Sequence, residues 1–209
     1  MTTQTPTDPD SALRALLDGN ARFVDGRPAH PNQDVGRRAE LERGQAPFAV
    51  VFGCSDSRVA AEIIFDRGLG DLFMVRTAGH VVDSAVLGSI EFAVDELGVP
   101  LVVILGHDSC GAVTAAAAAV ESGQMPTGYV RDIVERITPA VMATRAGGGG
   151  DIDAIGAENV RQTASLLLER SPLLAQLVEK GRCGIVGVVY DLADGRVRPV
   201  DERRPGGER

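Results

Sequence analysis

The sequence predicts an α/β fold in which helices flank a mainly parallel central sheet, preceded by an N-terminal helical arm. Two features of the sequence indicate this class. Short continuous apolar runs are typical of strands that are buried on both faces, as parallel strands are. Segments with helical periodicity separate these runs, and this alternation is the pattern of a parallel sheet covered by helices. The predicted strands are Ala49–Phe52, Leu72–Val75, Leu101–Leu105 and Ile185–Tyr190.

Helix signals lie between the predicted strands. We expect Ser11 to cap a first helix that runs to about Asn20, because a serine side chain can accept a hydrogen bond from the first turn. A longer helix over Ser84–Leu97 should end where Gly98 precedes Pro100. For the segment after the turn at 193–195, the sequence is compatible with an edge strand and with a loop. The other predicted helices are 35–43, 60–65, 111–120, 129–143, 155–170 and 172–179.

The length and the net charge of the chain limit its domain organisation and its partners. Its 209 residues suit one domain with a sizeable core, which we place at residues 11–200 between disordered tails at 1–10 and 201–209. The net charge of −8 argues against nucleic acid and against an anionic membrane surface as partners. Neither a secretory signal nor a run of 18 apolar residues is evident, so we expect a cytoplasmic protein in a reducing compartment.

The functional signal follows two of the predicted strands. The first strand leads into the sequence GCSDSR at 53–58, and the third leads into GHDSCG at 106–111. Ligands gather at the carboxyl ends of strands in open α/β sheets, so we expect these segments to meet. Cysteine sulfur and histidine nitrogen are donors that Zn²⁺ prefers in proteins. The sequence therefore predicts a zinc site with Cys54, His107 and Cys110 as ligands.

Each candidate ligand also has an ordinary interpretation. A single buried cysteine is usually a small apolar side chain, and a histidine at a strand end is usually solvated or bonded to backbone. A disulfide between Cys54 and Cys110 is a further alternative, which a reducing compartment disfavours. Cys183 stands alone before an apolar strand and is interpreted as a core residue. His30 and His80 fall in loops, where we expect them to be exposed or locally bonded.

Asp56 and Arg58 add a carboxylate and a cation beside the candidate ligands. They can form a charge-assisted pair, whose ordinary role would be to stabilise the loop. The same pair can hold Asp56 off a metal, so that its carboxylate orients the hydroxide that zinc supplies near neutral pH. If the pair opened, Asp56 could become the fourth ligand. The sequence therefore allows an open, catalytic state and a closed state.

The motif Cys54-x-Asp56-Ser57-Arg58, with His107-x-x-Cys110 about fifty residues later, resembles the β-class carbonic anhydrases. The resemblance runs from about Asn20 to Asp191 and includes Val75–Gly79 and Gly88–Glu91. It implies a zinc lyase with one Zn²⁺ per chain. The implied reaction is reversible hydration of carbon dioxide to bicarbonate and a proton, by zinc-bound hydroxide that an Asp-Arg dyad orients.

The resemblance also implies roles for individual residues. Cys54, His107 and Cys110 would be the zinc ligands, and Asp56 would join them only in the closed state. Asp56 and Arg58 would form the catalytic dyad. The implied substrate-binding residues are Gln45, Phe73, Ala78, Phe92 and Gly111.

Two of the implied substrate residues need comment. Gln45 would reach substrate from the facing subunit across a dimer cleft. Phe92 stands where a tyrosine is common in the family, which removes a hydroxyl but keeps an apolar wall. The family implies a homodimer or a dimer of dimers, and the leucines of the first helix, Leu13, Leu16 and Leu17, would pack on a neighbouring subunit or on their own domain.

Two functions besides carbon dioxide hydration remain open at this point. A zinc hydrolase acting on CS₂ or COS would use the same ligands, so the motifs cannot separate it from the leading interpretation. A zinc or bicarbonate sensor is the second alternative. The intact pair of Asp56 and Arg58 argues against a sensor, because simple storage needs no group that orients hydroxide.

Overall fold

A computed structural model describes residues 5–203 of the chain. One sheet has the strands β1 (Ala49–Cys54), β2 (Leu72–Thr77), β3 (Leu101–His107), β4 (Gly184–Tyr190) and β5 (Val197–Arg203). Their order is β2–β1–β3–β4–β5. The first four strands are parallel, and β5 pairs antiparallel with β4 at one edge. The predicted α/β class with a mainly parallel sheet is confirmed, and the segment after the turn at 193–195 is a strand.

Helices connect and cover the strands. Within residues 5–203 the α-helices are α1 (Pro9–Val24), α2 (Val35–Glu40), α3 (Ala61–Ile64), α4 (Ser84–Glu91), α5 (Gly111–Ser122), α6 (Val130–Ala146), α7 (Ile152–Arg170) and α8 (Pro172–Glu179). The predicted helix over 84–97 is thus an α-helix that continues as a π-helical turn, Phe92–Glu96. Single 3₁₀ turns occupy Leu41–Arg43 and Ala78–His80.

The first helix starts earlier than the sequence predicts. Asp8 is the N-cap, and its carboxylate accepts a hydrogen bond of 2.9 Å from the Ser11 backbone N–H. Ser11 is therefore the third residue of the helix and not its cap: Asp8 and Ser11 form a reciprocal capping box, and a proline occupies the first helical position. Pro9 and Asp10 belong to this helix rather than to the predicted tail.

The predicted tails are otherwise only partly described. At the C-terminal end, β5 extends through Arg203, so the first three residues of the predicted tail at 201–209 belong to the sheet. Residues 1–4 and 204–209 lie outside the described residues. The division into one domain and two tails stays a prediction.

Each face of the sheet packs on its own helices. Phe52 and Ile104 are fully buried on the face covered by α4, α7 and α8. Val51 points to the opposite face, where α1 and α3 pack. A third buried cluster joins α5 and α6 and includes Cys54 and Cys110. The sheet is therefore covered on both faces, and the third cluster contains two of the three candidate ligands. No helix in residues 5–203 is long and apolar enough to cross a membrane.

Val160 of α7 packs directly against two glycines of the sheet. A Cβ atom added to Gly106 of β3 would lie 2.5 Å from one methyl of Val160. A Cβ atom added to Gly187 of β4 would lie 2.5 Å from the other methyl. Both glycines therefore leave the space that lets α7 settle on β3 and β4, and this close approach sets the position of α7 over the sheet.

A double-mutant cycle tests this contact. We expect Gly106→Ala and Val160→Ala each to lower the free energy of unfolding by roughly 1 to 3 kcal/mol, the first through overpacking and the second through a cavity. Because the smaller side chain at 160 relieves the clash, the double variant should be less destabilised than the sum by about 1 kcal/mol or more. Urea unfolding measures each variant.

Gly53→Ala is the matched control for Gly106→Ala. Gly53 also lies in a buried strand directly before a candidate ligand, but a Cβ atom there would make only ordinary contacts, at 3.5 Å from Leu105. We expect this variant to be close to neutral. Additive effects of Gly106→Ala and Val160→Ala would contradict the proposed packing.

Candidate metal centre

The candidate site lies where β1 and β3 end side by side. These strands are parallel neighbours, with Gly53 aligned to Leu105. Cys54 and His107 therefore emerge at the same edge of the sheet, and Cys110 follows on the turn that enters α5. One ligand atom from each of these three residues lies within 4.8 Å of the other two, and all three residues are buried. The structure thus brings together the three candidate ligands.

The imidazole of His107 is held in one tautomer. Its Nδ1 lies 2.7 Å from the carbonyl oxygen of Asp108, which can only accept, so Nδ1 carries the proton. This leaves a lone pair on Nε2, which is buried and has no hydrogen-bond partner among the described residues. A bare buried nitrogen beside two cysteine sulfurs is the donor set that fits Zn²⁺. The cluster could therefore hold a metal ion.

The pKa values of Cys54 and Cys110 shift in opposite directions. The Cys110 thiol lowers the pKa of Cys54, and the Gly79 N–H acts in the same direction against burial. The same contact with Cys54 raises the pKa of Cys110. Both cysteines are free, so the alternative of a disulfide is not formed in the structure. Cys54 is accordingly the sulfur that is poised to bind a metal as thiolate.

Cys183 is a core residue, as the sequence predicts. It is 1% exposed, and its sulfur lies 3.5 Å from the carbonyl oxygen of Gly184. Burial raises its pKa to about 12, so it stays a thiol under ordinary conditions. It packs with the side chains on one face of the sheet and forms no part of the metal cluster.

Asp56 and Arg58 form a two-pronged ion pair at the edge of the cluster. Arg58 Nε lies 3.0 Å from Asp56 Oδ1, and Nη2 lies 2.7 Å from Oδ2. The Arg58 guanidinium holds the pKa of Asp56 well below its usual range. Asp56 Oδ2 also lies 3.9 Å from His107 Nε2. The carboxylate is therefore ionised and lies beside the Nε2 atom of the candidate ligand His107.

Arg76 supports the loop that carries Cys54 and Asp56. Its guanidinium donates to the carbonyl oxygen of Cys54 at 2.8 Å and to that of Asp56 at 2.7 Å. The carbonyl groups of the last residue of β1 and of Asp56 beyond it are thereby satisfied by one side chain from β2. The loop that bears a ligand and the carboxylate is thus tied to the neighbouring strand.

The remaining sequence-predicted site residues lie on β2, on the 3₁₀ turn after it, on the π-helical turn, at the start of α5 and in the loop before β1. Ala78 is half-buried in the 3₁₀ turn, and Gly111 is exposed at the start of α5. The rings of Phe73 and Phe92 lie 6.3 Å apart, and Phe92 is 49% exposed. Gln45 is exposed in the loop before β1, and its side chain makes no hydrogen bond to the described residues of the site.

His80 differs from its sequence-based expectation. It is 2% exposed, and its Nε2 lies 2.8 Å from Nδ2 of Asn159 on α7, a long-range contact that local sequence does not indicate. Burial lowers the pKa of His80 to about 4. The expectation of an exposed or locally bonded histidine was therefore wrong for His80, because α7 and Phe52 enclose the loop. His30 is exposed, as expected.

Sequence reasoning missed Asn159 and the backbone of Gly79. The Gly79 N–H donates to Cys54 Sγ at 3.3 Å, and its carbonyl oxygen accepts from Asn159 Nδ2 at 3.2 Å. Backbone groups carry no signal in a sequence, and one asparagine in a helix is ordinary. Gly79 itself does carry a signal, because its φ of +63° is the left-handed conformation that glycine adopts readily.

A parallel α/β sheet with a buried Cys-His-Cys cluster at its carboxyl edge defines a candidate α/β metalloenzyme. A family model described as "Carbonic anhydrase" matches residues 49–197. Carbonic anhydrase 2 of Mycobacterium tuberculosis is 58% identical over 190 residues, which cover 91% of this chain and 92% of the relative. A carbonic anhydrase of Mycolicibacterium smegmatis is 58% identical over 191 residues, covering 91% and 93%.

Solved structures agree with these relatives. One of the tetrameric β-carbonic anhydrases of the fungus Sordaria macrospora superposes with a TM-score of 0.71 at 26% identity, over 91% of this chain and 96% of that chain. This chain belongs to the carbonic anhydrase family, in its β class. The resemblance stated from the two motifs is confirmed.

A pH series tests the burial of His80. In the folded chain its pKa of about 4 lies below the value near 6.5 of an unfolded histidine. The contribution of His80 to stability is therefore full above pH 6.5 and is lost as the pH falls toward 4. Between pH 7 and pH 5, we expect the free energy of unfolding of the metal-free wild type to fall by roughly 1 to 2 kcal/mol more than that of His80→Asn. Urea unfolding at each pH measures both.

Asparagine suits this substitution because it tolerates the left-handed conformation of His80, whose φ is +44°. The two proteins share all carboxylates, so acid effects from those groups cancel in the comparison. Parallel stability profiles for wild type and His80→Asn over this pH range would show that His80 takes up protons freely.

Proposed function

We propose that this chain catalyses the zinc-dependent, reversible hydration of carbon dioxide to bicarbonate and a proton. The observation that carries the proposal is the bare, buried Nε2 of His107 in a cluster with the sulfurs of Cys54 and Cys110. These three residues are the proposed ligands of one Zn²⁺ per chain. Membership of the carbonic anhydrase family supports the same reaction.

Three protein donors are the set typical of catalytic zinc sites, which keep a position for solvent or substrate. When bound, zinc supplies a hydroxide nucleophile near neutral pH by lowering the pKa of water to about 7. Asp56 is the proposed group that orients this nucleophile by accepting its hydrogen. Arg58 keeps the Asp56 carboxylate ionised and fixes its plane with two hydrogen bonds.

The substrate pocket requires apolar walls, because carbon dioxide is small and uncharged. We propose Phe73, Ala78 and Phe92 for this wall, and the tilted contact between the two rings supports it. Gly111 begins α5 next to the ligand Cys110, and a Cβ atom there would meet nothing within 4 Å, so it leaves open space beside the site. A neutral substrate also explains why a chain with a net charge of −8 needs no basic face.

Gln45 is the proposed substrate contact from a second subunit. It is exposed in the isolated chain, where it makes no hydrogen bond to the site. We propose that the protein works as a homodimer or a dimer of dimers in the cytoplasm. Exposed apolar side chains such as Val35, Ile63 and Phe92 support burial against a partner, and the Sordaria relative is a tetramer by its description.

We also propose a closed state in which Asp56 leaves Arg58 and becomes the fourth zinc ligand. Its Oδ2 lies 3.9 Å from His107 Nε2, so the carboxylate is already beside the metal-binding atom. A closed site has no place for a nucleophile and is inactive.

Zinc-edge X-ray absorption of the zinc-loaded protein tests the closed state. Near neutral pH or below we expect a carboxylate oxygen in the ligand set, and at pH 9 we expect solvent in its place. A ligand set that stays the same across this range would contradict the exchange.

Cysteine substitutions test the ligand assignment. We expect Cys54→Ala to lose bound zinc and carbon dioxide hydration together, because a thiolate donor is removed. Cys183→Ala is the matched control: it removes a buried thiol from the core, so it should keep one zinc per chain and its activity while losing some stability. Zinc content and stopped-flow hydration at pH 8 to 9 measure both. A Cys54→Ala protein with full zinc would refute the assignment.

A second pair of variants tests Asp56. We expect Asp56→Asn to keep zinc and to lower kcat by roughly 10²-fold or more, the usual scale for a group that handles the reacting proton. Asp25→Asn is its control, because Asp25 pairs with Arg27 at the same spacing, at 2.9 Å, away from the site. Equal kcat values for Asp56→Asn and wild type would contradict the proposed role.

A further inference from the structure

The hydrogen bond on Cys54 comes from an unusual turn. Gly79 donates its N–H to Cys54 Sγ at 3.3 Å, and it lies in the 3₁₀ turn between β2 and α4. Gly79 and His80 are consecutive left-handed residues, with φ values of +63° and +44°. This conformation is readily adopted by glycine but is costly for His80. Contacts from outside the turn must therefore keep the Gly79 N–H directed at the sulfur.

Asn159 of α7 supplies such contacts. Its Nδ2 lies 3.2 Å from the carbonyl oxygen of Gly79 and 2.8 Å from Nε2 of His80. A carbonyl oxygen can only accept, so the atom facing it must be the amide NH₂ group. That group then donates its second hydrogen to His80. One side chain therefore binds both left-handed residues, and no alternative orientation of the amide satisfies the two contacts.

We propose that Asn159 is a positioning residue for metal binding: it fixes the turn Ala78–His80 so that the Gly79 N–H stays on Cys54 Sγ. The inference rests on the proposed zinc site at Cys54. A hydrogen bond to a thiolate stabilises its charged form and sets its direction. Loss of such an outer partner of a metal ligand typically weakens metal binding by about 10- to 100-fold.

Aspartate at position 159 is the sharpest test of this role. It has the shape of asparagine, but an ionised carboxylate has no hydrogen to donate and would oppose the Gly79 carbonyl. Asn159 also lines a cavity of about 490 Å³, shared with Arg136 and Gln162. A charge introduced there has space for water and a nearby guanidinium, so the folded chain can accommodate it.

The experiment compares Asn159→Asp with Gln162→Glu in the full chain. Gln162→Glu makes the same amide-to-acid change on the same helix and cavity, but Gln162 bonds to Glu158 and not to the turn. Competition with a chromophoric chelator measures zinc affinity. Cobalt substitution gives a second readout, the intensity of the charge-transfer absorption from cysteine sulfur to Co²⁺.

We expect Asn159→Asp to bind zinc about 10- to 100-fold more weakly than wild type and to have an altered sulfur-to-cobalt band. The zinc affinity of Gln162→Glu should stay within about twofold of the wild-type value, because Gln162 does not bind the turn that carries the Gly79 N–H. Asn159→Ala, which removes the donor without adding a charge, should change both readouts in the same direction. If Asn159→Asp does not fold, the zinc affinity and cobalt band of Asn159→Ala test the role of Asn159 instead.

Three outcomes distinguish the inference from the proposed function. Failure of the wild type to bind zinc would overturn the proposed function, and the inference with it. Wild-type zinc affinity and an unchanged cobalt band in Asn159→Asp and Asn159→Ala would overturn the inference alone. A loss of stability without any change in affinity or band would show that Asn159 has only a structural role, and this result too would overturn it.

Discussion

The parallel pairing of β1 with β3 is the constraint on which the metal centre depends. Parallel neighbours end at the same edge of a sheet, so Cys54 and His107 are brought together by register alone. A slip of two residues would separate them by about 7 Å, and a slip of one would turn one side chain to the other face. Burial of both faces of the sheet makes such slips costly, so the apolar core determines the geometry of the site.

Helix α7 links that core to the chemistry of the site. Val160 packs into the space above Gly106 and Gly187, while the adjacent residue Asn159 binds the turn that donates to Cys54. Because both residues belong to one rigid helix, the packing of α7 on β3 and β4 also sets the position of the turn. The core and the ligand environment are therefore coupled through neighbouring residues.

Much of this arrangement is predictable from the sequence, because the strong signals are local. Apolar runs predict the strands, and the residues directly after two of them predict the metal cluster. Long-range contacts carry no comparable pattern: the partner of His80 lies 79 residues away, so its burial was not foreseen. The start of α1 was misplaced because two cap-forming residues, Asp8 and Ser11, compete and only the structure shows which one is the cap. The role of Gln45 depends on a second subunit and stays a prediction.

The most direct test of the metal centre is an anomalous difference map at the zinc edge from crystals of the zinc-loaded protein. We predict one peak per chain, about 2.3 Å from each sulfur of Cys54 and Cys110 and about 2.0–2.1 Å from the Nε2 of His107. The tautomer fixed by the Asp108 carbonyl requires that nitrogen. A peak bonded to Nδ1 of His107, or zinc bound elsewhere with this cluster empty, would contradict the account.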